Sequence, residues 1–345
     1  MSKQPRLGFV TLILSVICTC SAWGAPILVN GAGSTFAAPL YAKWAAEYRQ
    51  LDPSIEINYQ SIGSGGGVRQ FIAGTVDFGA TDDPMNDDEV KQVKGAMFHL
   101  PTAIGGVVIT FNIPGLEVTE AKPLRLTAEV VAEIFMGKIT KWDDAKIKTL
   151  NPALKLPAQF IVVASRADGS GTTAVFTQYL SDNSAEWKAK VGNGKAIKFP
   201  TGLGGKGNEG VTGLVRQNPG AIGYVELTYA KVNKLPMAAI KNAAGEFVAP
   251  SLESLTAAAA NMKSVPADLR LSMRNTTGKT SYPIAAFTYL LVNQNMSANK
   301  SGKFVEFLNW ALDKGQTVAP TLNYAPLPEA VLRRAKQVVA GMSAK

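Results

Sequence analysis

The chain has 345 residues, a formal net charge of +9, 46% hydrophobic residues and a single histidine. That length suffices for two domains or one large bilobal unit, while His99 with Cys18 and Cys20 supplies no zinc-ligand set. The basic balance favours small anions or anionic lipid surfaces; with no basic run interleaved with aromatics, nucleic acid is not indicated.

Residues 1–24 read as a secretory signal peptide. Lys3 and Arg6 give the basic start, Leu7 to Cys18 the apolar stretch, and Ala22-Trp23-Gly24 the small residues before cleavage near Gly24. The apolar stretch is too short to span a membrane, and the residues ahead of Cys18 and Cys20 match poorly to the run preceding a lipidated cysteine. Cleavage leaves an exported chain of 321 residues and charge +7, with no cysteine for a disulfide or thiol chemistry. His99, within Met97-Phe98-His99-Leu100-Pro101, is expected to be packed rather than catalytic. Asp87-Asp88 and Asp143-Asp144 lack EF-hand spacing, so no metal site is expected.

Strand-like and helix-like segments then alternate, which predicts an α/β fold. A strand over 26–30 runs into Gly31-Ala32-Gly33-Ser34-Thr35-Phe36; a helix follows from Pro39, with Leu40, Tyr41, Trp44, Ala45 and Tyr48 at helical spacing. A strand over Ile55–Tyr59 leads to Gly63-Ser64-Gly65-Gly66-Gly67 and a short helix over 68–73. Val76 to Ala80 is a strand ending at Thr81-Asp82. Gly106 to Ile113 and Pro283 to Val292 read as strands crossing between lobes. Val130 to Met136 reads as helix, and Phe160 to Ala164 as a strand delivering Arg166. A helix starts at Thr172, Gly202 to Gly210 is a glycine-dense loop before another helix, Ala221 to Val225 is a strand, and Phe304 to Leu312 is a helix ended by Gly315.

Three stretches place Gly, Ser and Thr where helices begin: Gly31–Phe36, Gly63–Gly67 and Arg166–Thr172. The first N–H groups of a helix lack internal partners and carry the positive end of its dipole, so glycine-lined helix starts bind anions. Arg166 adds a planar, permanent charge suited to a tetrahedral oxyanion. Thr35, Ser64, Ser170 and Thr172 offer hydroxyls; Phe36, Ser64, Ser170, Gly171 and Thr172 offer backbone N–H groups. Asp168, two residues from Arg166, would hold the guanidinium. Asp82 is the one group that repels an anion, unless the ligand carries a proton for it to accept. Phosphate near neutral pH has such a proton and sulfate has none, so the set favours phosphate. Arsenate is protonated like phosphate and stays open, as do other oxyanions such as a phosphate ester. An exported phosphatase-like enzyme is the rival of another class, but no Gly-x-Ser-x-Gly elbow occurs and the hydroxyls have no base beside them. No catalytic residue and no cofactor are expected. Gly278-Lys279-Thr280 ends like a P-loop, yet Met273 stands where its first glycine must be.

At these residues the chain resembles the periplasmic phosphate-binding proteins of bacterial phosphate-specific ABC transporters. The matching runs are Gly31–Phe36, Tyr59–Val68, Val76–Asp82, Gly137–Asp144, Arg166–Thr172, Gly202–Asn208 and Pro219–Glu226, in order along nearly the whole mature chain. The resemblance implies a two-lobed binding-protein fold, each lobe a mixed sheet flanked by helices, joined by a two-strand hinge. Lobe I would comprise 25–108 and 285–345, and lobe II 109–284. It implies phosphate contacts at Thr35, Phe36 (backbone), Ser64, Asp82, Arg166, Ser170, Gly171 and Thr172, with Asp168 in support. It further implies a monomeric periplasmic carrier whose partners are inorganic phosphate, an inner-membrane ABC permease and its ATPase. Ser34 stands where Ala is more usual and Gly65 where a second Ser is common, and residues 240–280 match only loosely.

Overall fold

Apolar runs of strand length, separated by amphipathic helices, build eleven strands in the computed structural model, which describes residues 25–294 and 296–343; the signal-peptide reading lies outside the described residues. The strands are β1 (Ile27–Gly33), β2 (Ile55–Ser61), β3 (Phe78–Thr81), β4 (Met97–Phe111), β5 (Arg125–Leu126), β6 (Val162–Arg166), β7 (Leu203–Gly205), β8 (Ala221–Glu226), β9 (Ala239–Lys241), β10 (Phe247–Val248) and β11 (Ala285–Asn293). Eight of them form one sheet in the order β2-β1-β3-β11-β4-β8-β6-β7, and β10-β9-β5 form a small second sheet.

The large sheet has two halves that share β4. Its first part, Met97 to Gly106, pairs antiparallel with β11; its last part, Val107 to Phe111, pairs antiparallel with β8. Buried from His99 onward, this strand is much longer than the stretch from Gly106 expected from sequence. Its alternation is hidden because both faces are covered, so it reads as a continuous apolar run. The chain passes beside the same point again at Ile284, whose carbonyl accepts from Val107 N–H at 2.9 Å.

In one half, β1, β2 and β3 run parallel, so their C-terminal ends share one edge. In the other half β6 runs parallel to β7 and β8. Chains leaving those edges turn directly into helices, the arrangement in which open α/β sheets bind ligands. The helix Ala38–Leu51 buries Leu40, Tyr41, Trp44 and Tyr48 on one stripe, and Trp44 Nε1 donates to the Gly315 carbonyl at 3.0 Å.

Three element expectations need correction. The helix expected over 68–73 begins at Ser64 and runs to Ala73, because Gly65–Gly67 are helical. A side chain on Gly67 would come within 2.6 Å of the Ala32 carbonyl and 2.8 Å of the Ala80 carbonyl, so close packing on β1 and β3 holds a stretch whose intrinsic propensity is poor. The Gly202–Gly210 loop instead contains β7 and the start of a helix, Gly207–Gln217. Gly315 does not end the helix Ala298–Ala311 but lies inside the next one, Lys314–Val318.

Candidate functional site

The C-terminal ends of β1, β2 and β3 supply one wall of a cleft; β6 and the two helices Gly171–Asn183 and Gly207–Gln217 supply the other. The walls touch. Gly65 N–H donates to the Gly169 carbonyl at 2.9 Å, and Lys195 Nζ pairs with Asp83 Oδ2 at 3.0 Å and Glu89 at 3.4 Å. Two glycines permit this approach. A Cβ on Gly63, whose φ is +86°, would sit 2.4 Å from Asp168 Oδ2; one on Gly171 would sit 2.4 Å from Ser64 Oγ and 2.6 Å from Asp82 Oδ2.

Arg166 ends β6 with its side chain almost wholly buried. Its Nε donates to Asp168 Oδ1 at 2.7 Å, its Nη2 to Asp168 Oδ2 at 2.6 Å, and its Nη1 to Thr172 Oγ1 at 3.5 Å. Three of the five N–H groups are thus engaged, leaving one on each terminal nitrogen, the pair a two-pronged oxyanion contact uses. Burial acts to raise the Asp168 pKa, but the hydrogen bonds and charge of Arg166, joined by Gly207 N–H at 3.0 Å, outweigh it and hold the carboxylate below its ordinary range. The ion pair anchors the guanidinium and offsets part of its charge.

Ser170 caps the helix Gly171–Asn183 by accepting from Thr173 N–H at 3.0 Å. Its own N–H donates to the Lys195 carbonyl at 2.7 Å, so only its hydroxyl proton is left for a ligand, a correction to the expected backbone donor. The N–H groups of Gly171 and Thr172 lie in the first helical turn, where no intrahelical acceptor exists.

On the opposite wall Thr35, Phe36 and Ser64 are buried at the ends of β1 and β2. Asp82, just past β3 and 3% exposed, accepts from three hydroxyls. Ser34 and Thr288 (2.9 Å) donate to Oδ1, and Ser64 donates to Oδ2 at 3.1 Å. Burial pushes its pKa from 3.8 up to about 6, against the downward pull of these bonds and of Arg166. Oδ2 lies beside Gly171, where an added Cβ would come within 2.6 Å of it.

Sequence reasoning missed several members of this site. Thr288 reaches Asp82 because β11 pairs antiparallel with β3: Tyr289 lies opposite Thr81, so Thr288, the next residue, falls opposite Asp82. Which strand will lie beside β11 is not readable from its own period-two pattern. Asn208, fully buried, lies between Thr35 and Thr172. Glu226, also fully buried, accepts from Thr228 N–H at 2.7 Å, while its Oε1 has no hydrogen-bond partner among the described residues. Burial lifts its pKa well above the ordinary carboxyl value, with the charge of Asp82 adding to the rise. His99 is buried as expected, accepting from Met85 N–H at 3.0 Å through Nε2.

Residues 21–314 match the family model for the PBP superfamily domain. The phosphate-binding protein PstS of Haemophilus influenzae is 47% identical over 89% of this chain and 91% of its own. That of Methanocaldococcus jannaschii is 40% identical over 89% of this chain and 84% of its own. Among solved structures, a high-affinity periplasmic phosphate-binding protein (PfluDING) bound with phosphate superposes with a TM-score of 0.73. The two are 21% identical, over 90% of this chain and 93% of that one, a likeness of fold.

Proposed function

Because the chain belongs to the phosphate-binding proteins of the PBP superfamily, we propose that it captures inorganic phosphate in the periplasm and delivers it to an inner-membrane ABC permease. The observation that carries this reading is a buried carboxylate, Asp82, set among groups that donate. The Thr35 hydroxyl, Phe36 N–H, Ser64 N–H, Arg166, the Ser170 hydroxyl and the Gly171 and Thr172 N–H groups grip the oxyanion. Asp82 Oδ2 accepts the proton that phosphate retains and sulfate lacks. Burial supports this role, since in a water-poor site an unmatched acceptor is costly.

The lobes are 25–108 with 285–345, and 109–284, turning about the place where β4 and the segment before β11 lie side by side. Contacts between the walls, from Gly65 to Gly169 and from Lys195 to Asp83, belong to the closed form. Phosphate favours that form because only there do Arg166 and Asp82 face it together. Closure excludes water and strengthens each charge-assisted bond.

Calorimetric titration of ligand-stripped mature protein at pH 7, with phosphate and then sulfate, tests the reading. One-to-one phosphate binding at micromolar affinity or tighter, roughly −8 kcal/mol, with sulfate silent is the expected result. Equal binding of both would leave an oxyanion carrier and overturn the role of Asp82.

A further inference from the structure

Asn208 touches both walls of the cleft at once. Its Oδ1 accepts from Glu226 N–H at 2.9 Å. A backbone N–H can only donate, so this bond fixes which end of the amide is oxygen and turns the NH2 group the other way. Nδ2 then donates to Thr35 Oγ1 at 2.7 Å and to Thr172 Oγ1 at 3.2 Å. Asn208 N–H also donates to Thr35 Oγ1, at 3.2 Å, so the threonine hydroxyl takes up an orphan donor of the Gly207–Gln217 helix, whose own N-cap offers no side-chain bond.

The two hydroxyls are thereby saturated as acceptors. Thr35 Oγ1 receives two N–H groups of Asn208; Thr172 Oγ1 receives one from Asn208 and one from Arg166 Nη1. None of these donors can accept in return, so each hydroxyl proton must point elsewhere. Ser64 differs, since its hydroxyl donates to Asp82.

We propose that Asn208 is a positioning residue of the anion site: by donating to the oxygens of Thr35 and Thr172 it turns both hydroxyl protons towards the bound anion and ties the two walls together around it. The inference rests on the phosphate reading above. Asn208 itself donates nothing to the ligand. An ordinary threonine hydroxyl rotates and spends part of its time presenting lone pairs, which an anion repels; these two arrive with the proton already aimed, and binding need not reorganise them.

Calorimetry with inorganic phosphate at pH 7.5 tests this in wild type, N208A, N208D and the threonine pair T35V/T172V, with thermal melts as a check on folding. N208D, close to Asn in volume, offers the threonines an acceptor, so their protons turn away from the ligand; phosphate affinity is expected to fall by about 100-fold or more. N208A is expected to lose about tenfold, since the hydroxyls are freed rather than reversed. The decisive comparison is the background: in T35V/T172V, where no hydroxyl remains to orient, N208A should cost less than about threefold further. A purely structural role would give the same loss in both backgrounds, and that additivity would overturn the inference. Wild-type binding with unchanged affinity in both Asn208 variants would overturn it as well. Phosphate silence in the wild type would overturn the phosphate reading and this inference with it.

Discussion

Asp82→Asn separates what the buried carboxylate does for selectivity from what it costs in stability. The surrounding bonds dictate how the amide will sit. Ser34 and Thr288 both donate to Oδ1, so the amide oxygen takes that position and NH2 takes the place of Oδ2, beside Gly171 and the proposed phosphate position. Phosphate then loses its acceptor and sulfate gains a donor. An unmatched buried polar group costs about 1–3 kcal/mol, and more when charged, so the phosphate-to-sulfate ratio should fall by about 100-fold or more. In the unliganded protein the effect has the opposite sign. The carboxyl is raised from 3.8 to about 6, so the folded state holds its proton more tightly than the unfolded one. The stability this confers is full below pH 3.8 and is lost as pH rises through 6. At pH 7 the ionised group therefore costs about 3 kcal/mol, from about 2.2 pKa units at 1.36 kcal/mol each. Removing it should raise the melting temperature of the ligand-free protein at pH 7 by several degrees, with the advantage gone near pH 4. Calorimetry with phosphate and sulfate, paired with melts at pH 7 and pH 4, reads both effects. An unaltered phosphate-to-sulfate ratio would refute the acceptor argument, whatever the melts show.

Two further outcomes follow from the same geometry. Gly171→Ala puts a methyl group 2.4 Å from Ser64 Oγ and 2.6 Å from Asp82 Oδ2, so the walls cannot close to their present separation; overpacking costs about 1–3 kcal/mol, and titration should show phosphate affinity reduced at least tenfold, with wild-type affinity refuting the closed geometry. His99 is depressed from 6.5 to about 4, first by burial and then by the charge of Arg270, with Lys195 acting the same way and Asp268 and Glu89 opposing. Its contribution to stability is full above pH 6.5 and lost as pH falls through 4, about 3 kcal/mol in all. His99→Gln, which keeps an acceptor for Met85 N–H, should therefore lose less stability than wild type between pH 6.5 and 4 in denaturant titrations; an equal loss would move the acid sensitivity to another group.

How much of this site was legible in the sequence depends on whether a residue's role is local or assembled. Arg166, Asp168 and Thr172 lie within seven residues, and their helix-start chemistry reads directly from the chain; Ser64 and Thr35 follow the same rule. The two-lobed α/β fold was legible for a similar reason, since each strand, turn and helix is a contiguous pattern. The parts that were not legible are those where a distant segment decides what a local group does. Ser170 looked like a backbone donor, but the Lys195 carbonyl, 25 residues away, takes its N–H. Thr288 sits in an apolar strand, and only the pairing of β11 with β3 brings it to Asp82 across a separation of 206 residues. Asn208 was visible within a glycine-rich run, yet its partners Thr35 and Thr172 are 173 and 36 residues off. Sequence therefore picks out the groups proposed to meet the anion better than the groups proposed to aim them. On the proposed reading, the direction of the hydroxyl protons and the buried Asp82 acceptor, more than the tally of donors, are what would distinguish phosphate from sulfate.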